Sequence, residues 1–294
     1  MIREPKSPGK LELIAISKTH ANGTVALHDL DVAFVPGITG LIGANGAGKT
    51  TLLKILATTM KPTAGRMLFE GVDVVKSPNM LRKRLGYVPQ HVGVYPRLDA
   101  CEFVSYLAIL KGVPLHHVTA RSMQALAAVG LADVAKRRLE GFSRGMLQRV
   151  AIAQALINDP DILLLDEPSA GLDPAQRHNF REVLSSLATT RTVIFSTHIL
   201  SDLEGLTNSI VVMRSGKIVL RGGPAEILAN VRGRVWEWRS RGMPAHVPGH
   251  VLATYREADV VRLRILAEEA PSAAAVRVEP TLEEACNVAL MGSR

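Results

Sequence analysis

A glycine-rich stretch of nine residues, GANGAGKTT from Gly43 to Thr51, is the feature that most constrains how this chain can fold. An apolar run over residues 38–43 precedes it, and the helix-forming sequence KTTLLKILATT over residues 49–59 follows it. Glycines allow successive backbone N–H groups to point at phosphate oxygens, and the start of a helix adds partial positive charge at the same place. The spacing G-x-x-x-x-G-K-[ST] between a strand and a helix therefore predicts a phosphate-binding loop.

Two side chains at the end of this phosphate loop have distinct predicted roles. Lys49 would place a full positive charge beside the β- and γ-phosphates of a nucleotide. The Thr50 hydroxyl is a hard oxygen ligand of the kind that Mg²⁺ prefers. The residues predicted to line the phosphates are Gly43, Asn45, Gly46, Ala47, Gly48, Lys49, Thr50 and Thr51.

A pair of acids follows a second apolar run, in the sequence ILLLDEP over residues 162–168. This pattern predicts a buried strand whose carboxyl end carries Asp166, at the edge where α/β sheets bind their ligands. Asp166 would there be in reach of Mg²⁺, directly or through water. Glu167, expected on the other side of the strand, could orient or deprotonate an attacking water.

Apolar strands alternate with helical segments along most of the chain, which predicts an α/β fold with a parallel sheet and crossover helices. Strands are predicted at 11–20, 25–35, 38–43, 64–75 (a hairpin), 85–90, 161–165, 191–196 and 209–220, with helical segments at 49–59, 99–157 and 174–188.

The pattern changes after Gly222-Gly223-Pro224. Residues 234–240, 251–256 and 259–266 alternate between apolar and polar, and residues 280–291 read as a helix capped by Thr281. We therefore expect residues 225–294 to form a small α+β accessory domain.

Further motifs occur between and after these two: GYVPQ ending at Gln90, FSRGMLQRV over 142–150, SAGLD over 169–173 and FSTH ending at His198. In this order and at this spacing, the set resembles the ATP-binding subunit of ATP-binding cassette (ABC) transporters over residues 10–228. The resemblance implies ATP and Mg²⁺ as ligands. It also implies a P-loop NTPase core of RecA type, with an antiparallel β subdomain and a helical subdomain at about 97–155, together spanning residues 1–224.

The resemblance also implies roles for single residues. Gln90 would contact the Mg²⁺ and lytic-water region and sense the membrane subunit, and His198 would hydrogen bond the γ-phosphate. Ser143 and Gly145 belong to the signature segment, which covers the γ-phosphate of a second chain, and Asp173 would link the two sites. The implied assembly is a head-to-tail pair, a homodimer or a pair with another ATPase subunit, that encloses two ATP molecules.

This chain departs from the family pattern in two places, the signature segment and the position of the adenine-stacking aromatic. The usual signature LSGGQ is here Phe142 to Met146, so that Arg144 replaces a glycine and Met146 a glutamine. Arg144 would either add positive charge near the nucleotide or point to solvent. His20 stands where the family often has a tyrosine, and we expect it to stack on adenine with a smaller π surface.

Met146 and the stretch EPTLEEACNVALMG over residues 279–292 are similar to the ATPases of ABC-2-type exporters. The resemblance then implies a separate integral-membrane permease as partner. The expected location is the cytoplasm, at the cytoplasmic face of the inner membrane. The identity of the cargo stays open.

The composition agrees with a cytoplasmic location. No apolar run reaches 18 residues, and the N-terminal sequence MIREPKSPGK lacks the apolar core of a secretory signal. The two cysteines, Cys101 and Cys286, are expected to be reduced. The net charge of +8 arises in residues 1–224, because residues 225–294 hold nine Arg and nine Asp or Glu. A basic surface can bind nucleic acid, anionic lipid or a polyanionic ligand.

Two other functions stay open on the sequence alone. A soluble ABC ATPase that acts on nucleic acid or ribosomes is disfavoured by the single cassette, by the lack of a coiled-coil insertion and by the small number of cysteines. A nucleotide-gated regulatory protein with little hydrolysis is disfavoured by the presence of Glu167 and His198.

Overall fold

The computed structural model describes residues 9–257 and 259–292, which form three β-sheets and their surrounding helices. Residues 1–8, which include most of the segment searched for a secretory signal, lie outside the described residues. The strands are β1 (Leu11–Thr19), β2 (Val25–Phe34), β3 (Gly37–Ile42), β4 (Ala64–Phe69), β5 (Val72–Asp73), β6 (Leu85–Val88), β7 (Ile162–Leu165), β8 (Thr192–Thr197), β9 (Ser209–Arg214), β10 (Lys217–Gly222), β11 (Val235–Arg241), β12 (His250–Glu257), β13 (Val260–Leu266) and β14 (Val276–Arg277). The helices are α1 (Lys49–Leu56), α2 (Pro78–Arg82), α3 (Ala100–Leu110), α4 (Leu115–Ala128), α5 (Arg144–Leu156), α6 (Pro174–Ala188), α7 (Pro224–Ala229) and α8 (Leu282–Met291).

The largest sheet has six strands in the order β10-β9-β3-β8-β7-β6, and all but β10 run parallel to their neighbours. The predicted parallel sheet is therefore confirmed. Its inner strands are mostly apolar, as expected for strands that are covered on both faces. On β7, Leu163 and Leu165 face the apolar cluster that includes α5 and α6, whereas Ile162 and Leu164 face the cluster that includes α1.

A second, antiparallel sheet in the order β2-β1-β4-β5 packs over α1 and shares its apolar cluster. The hairpin of β4 and β5 turns at Glu70-Gly71, as the sequence predicted. On the other face of the central sheet, α3, α4 and α5 form the helical subdomain. These layers leave the carboxyl ends of the parallel strands at one open edge.

The third sheet, in the order β12-β13-β11-β14, lies in the C-terminal segment together with α8. Trp236 and Trp238 share one face of β11, opposite Ile265 and Leu263 of β13. Several apolar residues after position 224 belong to the same buried cluster as the central sheet: Ile227, Val231, Val235, Leu266, Leu282, Ala285 and Cys286. The proposed division into residues 1–224 and 225–294 falls at the first turn of α7.

The sequence did not predict the three short elements α2, α7 and β14. Each spans six residues or fewer. Such lengths give too few apolar positions to show a period. Proline at the first position starts both helices, and the Gly223 N–H donates to the Glu226 carboxylate at 2.9 Å to cap α7.

A buried ion pair attaches α8 to the third sheet. The Arg264 guanidinium on β13 donates to both carboxylate oxygens of Glu284, at 2.6 and 2.7 Å. Glu284 also accepts the Thr281 N–H at 2.8 Å, which completes the predicted cap at Thr281. Burial alone would raise the pKa of Glu284, but the Arg264 and Thr281 hydrogen bonds lower it below its ordinary value.

We expect Arg264→Met to lower the free energy of unfolding by about 3–5 kcal/mol at pH 7, because it leaves the buried Glu284 carboxylate without a cation. The folded-state pKa is lowered, so the pair stabilises the protein above the ordinary pKa of 4.5 and loses this effect as pH falls through the lowered value. Urea unfolding followed by circular dichroism between pH 7 and pH 3 measures both effects.

The matched control is the double variant Arg264→Met/Glu284→Gln, which removes both charges and keeps an acceptor for Thr281. It should recover most of the lost stability. A single variant as stable as the parent at pH 7 would contradict the assigned role of the pair.

Candidate nucleotide site

The phosphate loop lies between the end of β3 and the start of α1, as predicted. Close packing explains its glycines. A Cβ at Gly43 would lie 2.5 Å from the Met213 carbonyl oxygen, and one at Gly48 would lie 2.8 Å from the Ala26 carbonyl oxygen. Gly48 also has φ of 103°, a conformation that L side chains rarely adopt. The loop is therefore held against β2 and β9 by its own backbone.

Lys49 is 5% exposed and lies inside the curve of this loop. Its Nζ donates to the carbonyl oxygens of Gly43 at 2.7 Å and Ala44 at 3.2 Å, and lies 3.8 Å from Glu167 Oε1. Burial lowers the pKa of Lys49, and the charges of Glu167 and Asp166 oppose that shift. A cation with movable donors is thus held inside the loop by two backbone carbonyls and lies beside a carboxylate.

Asp166 is 1% exposed at the carboxyl end of β7. Its Oδ1 accepts hydrogen bonds from the Thr50 hydroxyl at 3.2 Å and from the Ser196 hydroxyl at 2.7 Å. Ser196 Oγ in turn accepts the Glu167 N–H at 2.9 Å. The prediction did not include Ser196, although its place in FSTH at the end of an apolar strand is a signal that could have identified it.

Thr50 and Asp166 are the residues that could hold a cation here. They supply two hard oxygens within 3.2 Å of each other, which suits a small divalent ion that takes its remaining ligands from phosphate and water. Within residues 9–257 and 259–292, no group of three or more His, Cys, Asp or Glu side chains could hold a metal by itself. The donor set therefore fits Mg²⁺ bound together with a phosphate better than a closed protein cage.

The sequence predicts Glu167 on the other side of the strand from Asp166, whereas its carboxylate lies beside Lys49, whose neighbour Thr50 bonds Asp166. The reason is its backbone: φ is +48°, which breaks the alternation of a strand. Its carboxylate oxygens lie 3.3 Å from Gln90 Nε2 and 3.4 Å from His198 Nδ1. Side chains that follow three adjacent strands, β6, β7 and β8, thus meet at Glu167.

The Tyr87 hydroxyl is a further group that the sequence analysis missed. It is buried and has no hydrogen-bond partner among the described residues. Burial, followed by the charge of Asp166, raises the pKa of Tyr87 to about 12, so the hydroxyl stays protonated. The register pairs Tyr87 with Leu164, which puts its side chain on the same sheet face as Asp166.

The predicted signature residues form a second cluster. Ser143 caps α5 by accepting the Met146 N–H at 3.3 Å. Gly145 is buried so closely against Gln176 that a Cβ would lie 3.1 Å from that side chain. Asp173 accepts the Gln176 N–H at 2.8 Å and caps α6. Among the described residues, no hydrogen bond or ion pair joins this cluster to the phosphate loop.

Arg144 is exposed, and its guanidinium packs against Gly171 of the SAGLD segment. The sequence analysis expected Arg144 near the nucleotide or in solvent and did not predict a contact with Gly171. Gly171 lies 27 residues further along the chain, so only the folded structure shows that the two residues meet. His20 lies in the turn between β1 and β2, where its N–H donates to the Thr24 carbonyl at 2.9 Å. Ala26, which follows this turn on β2, contacts Gly48 of the phosphate loop.

Comparison with known proteins gives one family. The ABC transporter family matches residues 27–170. The ABC transporter ATP-binding protein NatA of Bacillus subtilis is 38% identical over 200 residues, which cover 67% of this chain and 81% of NatA. The Nod factor export ATP-binding protein I of Cupriavidus metallidurans is 34% identical over 69% of this chain and 68% of that protein. The daunorubicin/doxorubicin resistance ATP-binding protein DrrA of Streptomyces peucetius is 31% identical over 74% of this chain and 67% of DrrA.

Solved structures of ABC transporter cassettes resemble this chain as well. CbiO1 from Clostridium perfringens, part of the ABC transporter complex CbiONQ, has a TM-score of 0.67 and 28% identity over 74% of this chain and 90% of CbiO1. The ATP-binding cassette MJ0796, in a dimeric post-hydrolysis state bound to ADP and Pi, has a TM-score of 0.65 and 25% identity over 72% of this chain and 98% of that cassette.

Proposed function

Since this chain belongs to the ABC transporter family of ATP-binding proteins, we propose that it binds and hydrolyses ATP to energise a separate membrane permease of the ABC-2 exporter type. The observation that carries this proposal is the convergence at one sheet edge of the phosphate loop with the residues that follow β6, β7 and β8. Lys49, Gln90 and His198 all lie within 4 Å of the Glu167 carboxylate. Similarity to exporter ATPases supports this function over the nucleic-acid-directed and regulatory alternatives.

The ATP phosphates would bind on the N–H groups of residues 43–51, with Lys49 turning its donors from the Gly43 and Ala44 carbonyls to phosphate oxygens. His198 would donate one ring N–H to the γ-phosphate. Glu167 would orient the attacking water and accept its proton, because Lys49, Gln90 and His198 all surround its carboxylate. His20 is the proposed stacking partner of the adenine.

Thr50, Asp166 and Gln90 are the proposed residues for Mg²⁺, which would neutralise charge that develops on the β- and γ-phosphate oxygens. Asp166 is already fixed by the Thr50 and Ser196 hydroxyls. The protein therefore contributes a preformed oxygen site and needs little rearrangement to use it.

The second cluster is proposed to complete the site of another chain. Ser143 and Arg144 are exposed at the start of α5, where the helix N-terminus carries partial positive charge, and Met146 stands at the end of the segment. A head-to-tail pair would bring this cluster and Asp173 to the partner's ATP. Neither chain then has a complete site alone, so ATP would stabilise the pair.

An exposed apolar surface is the proposed contact for the permease. It consists of Tyr95, directly before the helical subdomain, and of Tyr106, Ile109, Leu110 and Leu115 within the subdomain. Tyr95 and Tyr106 pack edge to face with ring centroids 5.9 Å apart. A surface of this kind suits a short helix of another protein.

No helix in the described ranges has the length and apolar character needed to cross a bilayer. We propose that the chain works at the cytoplasmic face of the inner membrane through this apolar surface. The exporter assignment rests on the relatives and on residues 279–292, and the cargo is set by the permease.

We expect Glu167→Gln to lower ATP turnover by about 10²–10⁴-fold while ATP affinity changes little, because the amide cannot accept the proton of the attacking water. Phosphate release and equilibrium nucleotide binding measure the two effects. Glu182→Gln, at an exposed position on α6, is the matched control and should leave turnover unchanged. Turnover in Glu167→Gln within twofold of the parent would overturn this role.

We expect Leu110→Glu to lower co-purification with the permease at least fivefold, because a charge would enter the apolar contact. Val276→Glu is the matched control, since Val276 and Leu110 are both 66% exposed and Val276 lies on β14 in a different region. Equal recovery of the permease with both variants would place the contact elsewhere. A circular dichroism spectrum like that of the parent shows that each variant is folded.

A further inference from the structure

A buried carboxyl group outside the predicted site connects two of its loops. Asp202 is 5% exposed and lies in the short helical turn after β8. Its Oδ2 accepts hydrogen bonds from the Ser169 hydroxyl and from the Thr197 hydroxyl, the latter at 3.2 Å. Ser169 and Thr197 are themselves 2% and 1% exposed, so this cluster is closed to solvent.

Both hydroxyls belong to segments that carry site residues. Ser169 stands two positions after Glu167 and begins the SAGLD segment that ends at Asp173. Thr197 directly precedes His198, and its Oγ1 also accepts the Ile199 N–H at 2.9 Å, which fixes the chain on both sides of the histidine. One oxygen of Asp202 thus joins the loop after β7 to the last residue of β8.

The cluster has no cation to explain the buried acid. In the described part of the chain, no Lys, Arg or His nitrogen forms an ion pair with Asp202, whereas Glu284, the other buried acid outside the site, is paired with Arg264. Burial of a carboxyl group that is satisfied only by hydroxyls is costly for stability. A buried carboxyl group of this kind is therefore expected to have a functional reason, such as holding residues of the nucleotide site in place.

We infer that Asp202 is a positioning residue for ATP hydrolysis, which holds the SAGLD segment and the loop of His198 in a fixed relation. This inference rests on the proposed function and extends it. The Ser169 carbonyl accepts the Leu172 N–H at 3.2 Å, and the Arg144 guanidinium packs on Gly171 within that turn. Within one chain, Asp202 therefore connects the histidine of its own site to the segment that would serve the partner's site.

The test uses the two hydroxyls rather than Asp202 itself, because removal of the acid would change burial and charge together. Thr197→Val keeps the shape of the side chain and removes its hydroxyl, and Thr197→Ser keeps the hydroxyl. Ser169→Ala tests the other arm. Thr192→Val is the matched control, since Thr192 lies on the same strand, is fully buried and has a hydroxyl without a partner among the described residues.

We expect Thr197→Val and Ser169→Ala each to lower kcat for ATP about tenfold, with KM changed less than twofold. Thr197→Ser should restore kcat to within twofold of the parent, and Thr192→Val should not change it. The double variant Ser169→Ala/Thr197→Val should be no slower than the slower single variant, because either change already opens the connection.

Parent-like kcat in both single variants, or multiplicative losses in the double variant, would overturn the role of Asp202 while leaving the ATPase activity in place. If Thr197→Val does not fold, as judged by its melting temperature, Ser169→Ala decides the question alone. A parent protein that does not hydrolyse ATP would refute the proposed function, and that result is distinct from a failure of Asp202.

Discussion

The parallel pairing of β3, β8, β7 and β6 is the constraint on which the rest of the structure depends. The strand register pairs Ile42 at the end of β3 with Thr197 at the end of β8, and Val88 at the end of β6 with Leu165 at the end of β7. The segments that follow these strand ends therefore emerge at one edge, as the general rule for open α/β sheets requires. Because the same strands are buried on both faces, the pairing that forms the apolar core is also the pairing that assembles the site. The site residues delivered in this way are Lys49, Thr50, Gln90, Asp166, Glu167 and His198.

The sequence predicted those parts of the molecule that depend on local pattern. Apolar runs that end in glycines or acids gave the strands, and a spaced glycine pattern before a helix gave the phosphate loop. The orientation of Glu167 was not accessible in this way, because it depends on one positive φ angle and not on residue type. Ser196 and Asp202 were missed for a related reason. Ser196 bonds Glu167, and Asp202 bonds Ser169, about thirty residues away along the chain, on segments that only the folded sheet brings together.

One chain carries both the phosphate-loop half and the signature half of the proposed site, but the two halves lie apart from each other. The phosphate loop follows the central sheet, whereas Ser143 and Gly145 begin a helix of the helical subdomain. Arg144 contributes to this arrangement through its contact with Gly171, so a residue that departs from the usual signature still has a defined place. The SAGLD segment thus has two neighbours: Asp202 beside its first residue and Arg144 beside its third.

The C-terminal segment also connects to the phosphate loop. The Arg214 guanidinium donates to the carbonyl oxygens of Ala289 and Leu290 at the end of α8, at 3.3 and 3.1 Å. Two positions later, the Gly216 N–H donates to the Ala47 carbonyl of the loop at 3.1 Å. The end of α8 therefore contacts the end of β9, directly before the turn that supports the phosphate loop.

The central claim is that one chain holds two half-sites and that ATP completes them only between chains. Light scattering on the Glu167→Gln protein, with and without saturating ATP and Mg²⁺, tests it most directly, because bound ATP is not consumed. The account predicts the mass of one chain without ATP and of two chains with it, and a return to one chain when Ser143→Arg is added. A protein that binds ATP and keeps the mass of one chain would contradict the account.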